Sequence, residues 1–186
     1  YDGRTGRALI ANCSFIEIAQ IGIRCRASVI RDCSISKTGT QGIEGDNNVI
    51  DKVMIEGAGG HGGGGNLNVV RSANMRWIGL DGINGNQDTI AELNVTGARN
   101  GLAVNDSVVS GSTLGNNRSH GLSGARNTVQ NTVARSNAGR GFNGDASSYH
   151  TVTAIGNGTD GIGGNDHSVD GAVLSNNGSH GMVGVN

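Results

Sequence analysis

The chain has 186 residues, of which 34 are glycine, none is proline and only 3% are aromatic. That composition excludes an ordinary packed globule, which relies on large side chains, while a net charge of −1 and evenly spread branched apolar residues argue against disorder. Lys and Arg number 14 against 15 Asp and Glu, so there is no basic face for nucleic acid, and no apolar run approaches the roughly 18 residues that span a bilayer.

Order comes from spacing. Gly22, Gly42, Gly62, Gly82, Gly101, Gly121, Gly141, Gly161 and Gly181 recur with a period of 20, broken by one step of 19. The residue after each glycine is apolar at eight places of nine, from Ile23 to Met182, with Gly63 the exception. Two further apolar columns run from Ile30 to Val169 and from Ile35 to Leu174. Each column sits in a segment of three to five residues bounded by Gly, Asn, Asp or Ser, which is the chemistry of short strands and turns and not the 3.6 spacing of a helix. Three short strands within one period leave no room for a crossover helix, so each coil must pair with the next. The expected fold is all-β: a single right-handed parallel β-helix (β-solenoid) over 1–186, about nine coils at this period, three short strands per coil, with no visible caps.

In chain order, the first coil already places Leu9, Ile10, Cys13 and Phe15 in the columns. Cys13 and Cys33 share one repeat position, within reach of a disulfide but equally suited to a reduced buried stack among Val53, Ala73 and Leu93; Cys25 has no partner at its level. Between the second and third coils the period stacks Arg24 over Glu44, Arg26 over Asp46, Arg31 over Asp51 and Asp32 over Lys52, and the series continues with Asp51 over Arg71 and Glu56 over Arg76. Side chains at one repeat position lie about 4.8 Å apart, so these opposite signs support the register. Gly60-His61-Gly62 follows; His61 is a weak catalytic candidate. Trp77, the only tryptophan, is a candidate sugar platform, with Ile78 and Leu80 expected to form a local apolar patch beside it.

Further on, Asn117, Asn137, Asn157 and Asn177 form a column whose amides can bond along the axis as scaffold. In the last third, Arg126, Asp145, Asp166 and His167 stand just after the glycine-bearing strand, and His120, Arg140, Asp160 and His180 just before its glycine. The two sets flank one strand as a candidate saccharide strip, with Asp145, Asp166 and His167 its weak catalytic candidates and Arg126, Arg140, Asp160 and His180 its binding candidates. An alternating-charge ladder is the simpler reading of Arg140, Asp160 and His180.

The consensus S-N-N-G-x-H-G-I/L-x-G-N, seen from Ser175 to Gly181 and from Gly115 to Gly124, resembles the parallel β-helix repeats of pectate lyases, polygalacturonases, mannuronan epimerases, phage tailspikes and many bacterial surface proteins. The resemblance covers essentially the whole chain and implies fold and handedness, an extracellular or cell-surface location, and work on acidic or complex polysaccharide; this fold hosts enzymes and inert stalks alike. The Asp-Pro-His signature of the epimerases is absent, since the chain has no proline. Gly60-His61-Gly62 matches half of the polygalacturonase pattern, but Asp46-Asn47-Asn48 supplies one acid in place of a pair. No metal cluster is evident; calcium, which lyase-type chemistry would need, stays open.

The residues therefore favour a rigid scaffold or stalk segment, roughly 43 Å of coil, that binds or presents to polysaccharide without a complete active site of its own. The alternative is a lyase, hydrolase or uronate epimerase acting along one face. Expected partners are polysaccharide or flanking and stacking β-helix segments, with end-to-end and trimeric assembly both open. The chain starts and stops within recognisable coils, at Tyr1 and Asn186, which reads as a length of a longer protein.

Overall fold

The computed structural model describes residues 2–3 and 7–184, so Tyr1 and Asn186 lie outside the described residues. Among the described residues there is no helix, only strands of two to four residues. They form three sheets of ten, nine and nine strands, and every pairing is parallel. Sheet 1 includes Ile23–Cys25 and its counterparts, sheet 2 Val29–Arg31, and sheet 3 Ser34–Ser36. Strands pair one period apart, as Ile23 with Ile43 and Val69 with Thr89. One residue is missing from a single turn: Asn94 still pairs with Asn74, whereas Leu102 pairs with Ile83. The loss falls between 97 and 101, where Arg99 alone replaces Gly79 and Leu80 of the coil before.

Each coil has seven inward positions, and the second coil shows the pattern: Ile23, Cys25, Ser28, Ile30, Cys33, Ile35 and Thr38 are all buried. The spacing alternates two and three. Pairs two apart are the inward sites of a strand. The third step spans a corner residue in the left-handed region, such as Ala27, Asp32 and Lys37, at φ 50°, 53° and 54°. The corner amide is held in place by the neighbouring coil: Ala27 N–H donates to Asp46 O at 3.0 Å and Lys37 N–H to Glu56 O at 2.9 Å. A ladder that over-determines the backbone lets non-glycine residues occupy corners that would otherwise be costly. Thr151, β-branched and exposed at φ 51°, is the most strained of them. Gly111 and Gly171 occupy its place in other coils, so Thr151→Gly is expected to stabilise the protein by up to about 1 kcal/mol, read as a raised urea midpoint.

The glycine column has a different cause. A Cβ on Gly42 would lie 2.7 Å from Gly62 O and 2.7 Å from Ile55 Cγ2. The tight corner into sheet 1 leaves no space for a side chain.

The column beginning at Ile18 changes character along the axis. It runs through Thr38, Ala58, Ile78 and Ala98, then becomes Asn117, Asn137 and Asn157, all buried from Thr38 onward. Ile78 is thus 1% exposed and belongs to the core, not to a surface patch beside Trp77; only Leu80 stays partly open, at 38%. The asparagines form the expected ladder, with Asn117 Nδ2 donating to Asn137 Oδ1 at 3.0 Å and Asn137 Nδ2 to Asn157 Oδ1 at 2.9 Å.

A second interior ladder is not foreshadowed by the apolar columns. Ser28 N–H donates to Asn48 Oδ1, Asn48 N–H to Asn68 Oδ1 and Asn68 N–H to Asp88 Oδ1, at 2.8–3.0 Å. These polar side chains satisfy corner amides that the sheets leave unpaired.

On the outside, Arg24 with Glu44, Arg26 with Asp46 and Arg76 with Glu56 pair at 2.7–2.8 Å, as the period predicts. Arg31 is in register with Asp51 but turns to its chain neighbour Asp32, 3.5 Å away. Asp51 likewise stands in register with Arg71 without pairing, because these side chains lie in solvent where an ion pair is worth little. All three cysteines are free.

Candidate functional site

The outer face of sheet 1 carries one outward residue per coil, and from the fourth coil on these are small or polar: Gly64, Asn84, Ala103, Ser123, Asn143 and Gly163. They form the floor of a shallow trough, because two polar columns border them.

The first border is the residue before each repeat glycine, and it is bonded from coil to coil. Asp81 is wholly buried. It receives Arg99 in a two-pronged contact, at 3.1 and 2.7 Å, and Asn100 through both its backbone N–H and Nδ2. Burial pushes its carboxyl upward, but those hydrogen bonds outweigh it and hold the group below the usual carboxylate range. Asn100 Oδ1 accepts His120 N–H at 3.1 Å, and His120 Nδ1 accepts Arg140 N–H at 3.0 Å. Arg140 Nε donates to Asp160 Oδ2 at 2.9 Å, and Asp160 Oδ1 lies 3.1 Å from His180 Nδ1. His61 joins the other end, its Nδ1 3.4 Å from Asp81 Oδ2.

Electrostatics fixes the state of these groups. Burial, reinforced by Arg140, pushes His120 down, so its ring is neutral at pH 7. With Nδ1 accepting, its proton sits on Nε2, and the ring presents a donor. Burial likewise lowers His61. At Asp160 burial acts upward, but His180 and Arg140 outweigh it and keep it ionised.

The second border is the turn after the strand. Asp46 Oδ1 accepts Asn66 N–H, Asn66 Oδ1 accepts Asn86 N–H, Asn105 Oδ1 accepts Ala125 N–H, and Asp145 Oδ1 accepts Asn165 N–H, at 2.7–3.0 Å. Toward the ninth coil Arg140 crosses the floor. Its Nη1 donates to Asn143 Oδ1 at 2.7 Å, and it lies over Gly163, where a Cβ would be 2.6 Å from its Cζ. A concavity of about 400 Å³ opens there, lined by Arg140, Asn143, Asp145, Gly164, Asn165, Val183 and Gly184.

The candidate residues therefore separate. Arg140, Asp160 and His180 form one bonded run, and Asp145 lines the same concavity as Arg140. Arg126 lies on the next corner, forked onto Asp106 at 2.6 and 2.7 Å, and does not reach Asp145. Asp166 occupies an exposed left-handed corner at φ 53°. His167 takes the place that Asn127 and Ser147 hold in earlier coils; its ring meets Tyr149 edge-on at 6.3 Å, so it faces the interior. Trp77 is 63% exposed on a left-handed corner, with the Arg76 guanidinium 5.3 Å from its ring and Gly97 beneath its Cδ1. Arg118 anchors beside it on Ile78 O and Gly79 O.

Asp81, Arg99 and Asn100 are residues of this face that the repeat pattern did not single out. The missing residue in the Arg99 turn was the available signal. Among the described residues, no three His, Cys, Asp or Glu side chains converge as metal ligands, and no helix is long and apolar enough to cross a membrane.

Solved structures share this architecture. The periplasmic alginate epimerase AlgG aligns with a TM-score of 0.55 at 11% identity, over 96% of this chain and 60% of its own. The chain is a right-handed parallel β-helix. The Dettilon tailspike protein matches this β-helix with a TM-score of 0.57 at 11% identity, over 89% of this chain and 46% of its own. The catalytic domain of an α-1,3-glucanase in complex with nigerose matches at 0.54 and 12% identity, over 85% and 46%. At such identities the likeness is one of fold, and the β-helix spans about half of these longer chains. No protein-family model and no curated protein matches the sequence.

Proposed function

We propose that this β-helix binds an elongated polysaccharide along the outer face of sheet 1, as a rigid, non-catalytic length of an extracellular or cell-surface protein. The observation that carries the proposal is the trough: a floor of small or polar residues between two borders in which carboxylate, amide, imidazole and guanidinium groups recur along the coils, with Ala125 the one gap. Polar groups held by their own hydrogen bonds lose little freedom when they meet sugar hydroxyls. An alginate epimerase and a nigerose-bound glucanase among proteins of like fold support a saccharide as the ligand.

Three acids on or beside the face are already committed. Asp81 is tied to Arg99, Asp160 to Arg140 and His180, and Asp106 to Arg126, and all three carboxyls are held low, the opposite of what a general acid requires. Asp88, the carboxyl pushed up to about 6, is 1% exposed inside the coil, out of substrate's reach.

The test is affinity electrophoresis of the whole chain in gels of alginate, polygalacturonate or α-1,3-glucan, with calcium and with a chelator. Retardation by at least one polymer is expected. Arg140→Ala should weaken it about tenfold, the loss of one charge-assisted contact. Trp77→Ala, beyond the border of the trough, should leave it within about twofold. Absence of retardation in every gel, or retardation that survives Arg140→Ala and disappears with Trp77→Ala, would overturn the proposal. New reducing ends or unsaturated uronate in the same incubations would replace binding with catalysis.

A further inference from the structure

We propose that Cys13 and Cys33 are a covalent modification site: a cross-coil disulfide formed by exchange with a low-molecular-weight disulfide. Both cysteines occupy the inward position at the corner between sheets 2 and 3, in adjacent coils. The register pairs on either side, Ala11 with Arg31 and Ser14 with Ser34, place them opposite each other. Parallel strands lie about 4.8 Å apart, inside the Cα separations of roughly 4.4–6.8 Å that disulfides span.

The two side chains also take the same orientation. Cys13 Sγ donates to Ala11 O at 3.2 Å and Cys33 Sγ to Arg31 O at 3.1 Å, each to the carbonyl two residues before it. All of these partners are backbone carbonyls, Cys33 Sγ also reaching Ile10 O of the preceding coil at 3.6 Å, and an S–H is a weak donor, so oxidation gives up little. Val53, Ala73 and Leu93 continue the column as plain fillers. Cys25 is held apart: it is buried in the sheet 1 column and its Sγ lies 3.5 Å from Asn48 Oδ1.

Access sets the order of events. Cys13 is partly exposed, while Cys33 is 3% exposed. The Cys13 thiolate attacks one sulfur of the small disulfide and joins it as a mixed disulfide, while the other sulfur leaves as a thiolate and takes up a proton. Cys33 then gives its proton to solvent, and its thiolate attacks Cys13 Sγ, expelling the second small thiol. Two protein thiols become one disulfide, and one small disulfide becomes two thiols. Burial pushes the Cys33 thiol up, so this second step quickens with rising pH. The product closes a ring of one full coil and prevents the first two described coils from separating.

The full chain is incubated at pH 8.5 with oxidised and reduced glutathione, alkylated and digested with trypsin. Cleavage after Arg7, Arg24, Arg26, Arg31 and Lys37 puts Cys13 in peptide 8–24, Cys25 in 25–26 and Cys33 in 32–37, so each linkage has its own mass. Peptides 8–24 and 32–37 are expected as one species lacking two hydrogens, with the unfolding midpoint raised by about 5–10 °C and restored by dithiothreitol. Cys25→Ala should keep both effects, and Cys13→Ala and Cys33→Ala should lose them. Those variants should fold, since Ala73 and Ala172 already fill this column. Free thiols throughout, a link through peptide 25–26, or glutathione retained on Cys13 without transfer to Cys33 would each overturn the proposal.

Discussion

Asp88→Asn is expected to stabilise the protein by about 2–3 kcal/mol above pH 7 and by nothing below pH 4. Asp88 is 1% exposed in a column that holds Asn48, Asn68 and Asn127 in other coils. Its Oδ1 accepts Asn68 N–H at 2.8 Å, but Oδ2 is buried with no partner. In matching places Asn48 Nδ2 donates to Cys25 O and Asn127 Nδ2 to Val104 O, each 23 residues earlier. The corresponding atom for Asp88 is Gly65 O, an acceptor facing an acceptor. Burial, with the like charge of Asp46, pushes the Asp88 carboxyl up from 3.8 to about 6, opposed by the Asn68 hydrogen bond. Between those values the unfolded chain has released the proton and the folded chain has kept it, so stability falls as pH rises through the window. Asparagine supplies the missing donor permanently. Urea unfolding at pH 4 and pH 8 checks this: equal midpoints at pH 4 and a higher variant midpoint at pH 8 are expected, and a pH-independent difference would refute the account.

The reverse substitution of an interior amide should cost most. Asn137→Ala is expected to destabilise by about 3 kcal/mol. Asn137 is 2% exposed and makes every bond its side chain can offer here. Its Oδ1 accepts from Asn117 N and Nδ2, and its Nδ2 reaches Leu114 O and Asn157 Oδ1, at 2.9–3.1 Å. Truncation removes four hydrogen bonds and takes this partner from Asn117 N–H, Asn117 Nδ2 and Leu114 O, while Asn157 Oδ1 still accepts the Asn137 N–H; each unsatisfied group costs about 1–3 kcal/mol before relaxation. Ala58→Gly, in the same column, removes only a methyl group and should cost about 1 kcal/mol. Thermal unfolding of the two variants separates the amide contribution from simple loss of volume; equal losses would remove the special role of the ladder.

The coil was legible because its constraint is local and repeated. A glycine that must meet the next coil's carbonyl, as Gly42 meets Gly62, leaves the same mark in every turn, and stacked Arg24–Glu44 and Arg76–Glu56 pairs confirm the phase. Exposed pairs were less readable. Arg31 and Asp51 share a register, but in solvent the neighbouring Asp32 competes on equal terms. Ile78 looked like surface because its turn is polar in other coils, and only the direction of its Cβ at the corner shows that it fills the core.

The candidate face divides the same way. Arg140, Asp160 and His180 stand in one column of the sequence, and their contacts follow from the period. That Arg140 crosses the trough to Asn143 over Gly163 depends on a side chain three residues along and on the absence of one in the next coil. That Asp81 is wholly buried, held by Arg99 and Asn100, rests on contacts with the shortened turn of the next coil. The solenoid, its period and its inward columns follow from residue order alone, because parallel stacking imposes one spacing on every coil. Which polar groups line the face, which close ladders inside and which stand unsatisfied is settled in three dimensions, because each outcome turns on where a corner aims its side chain.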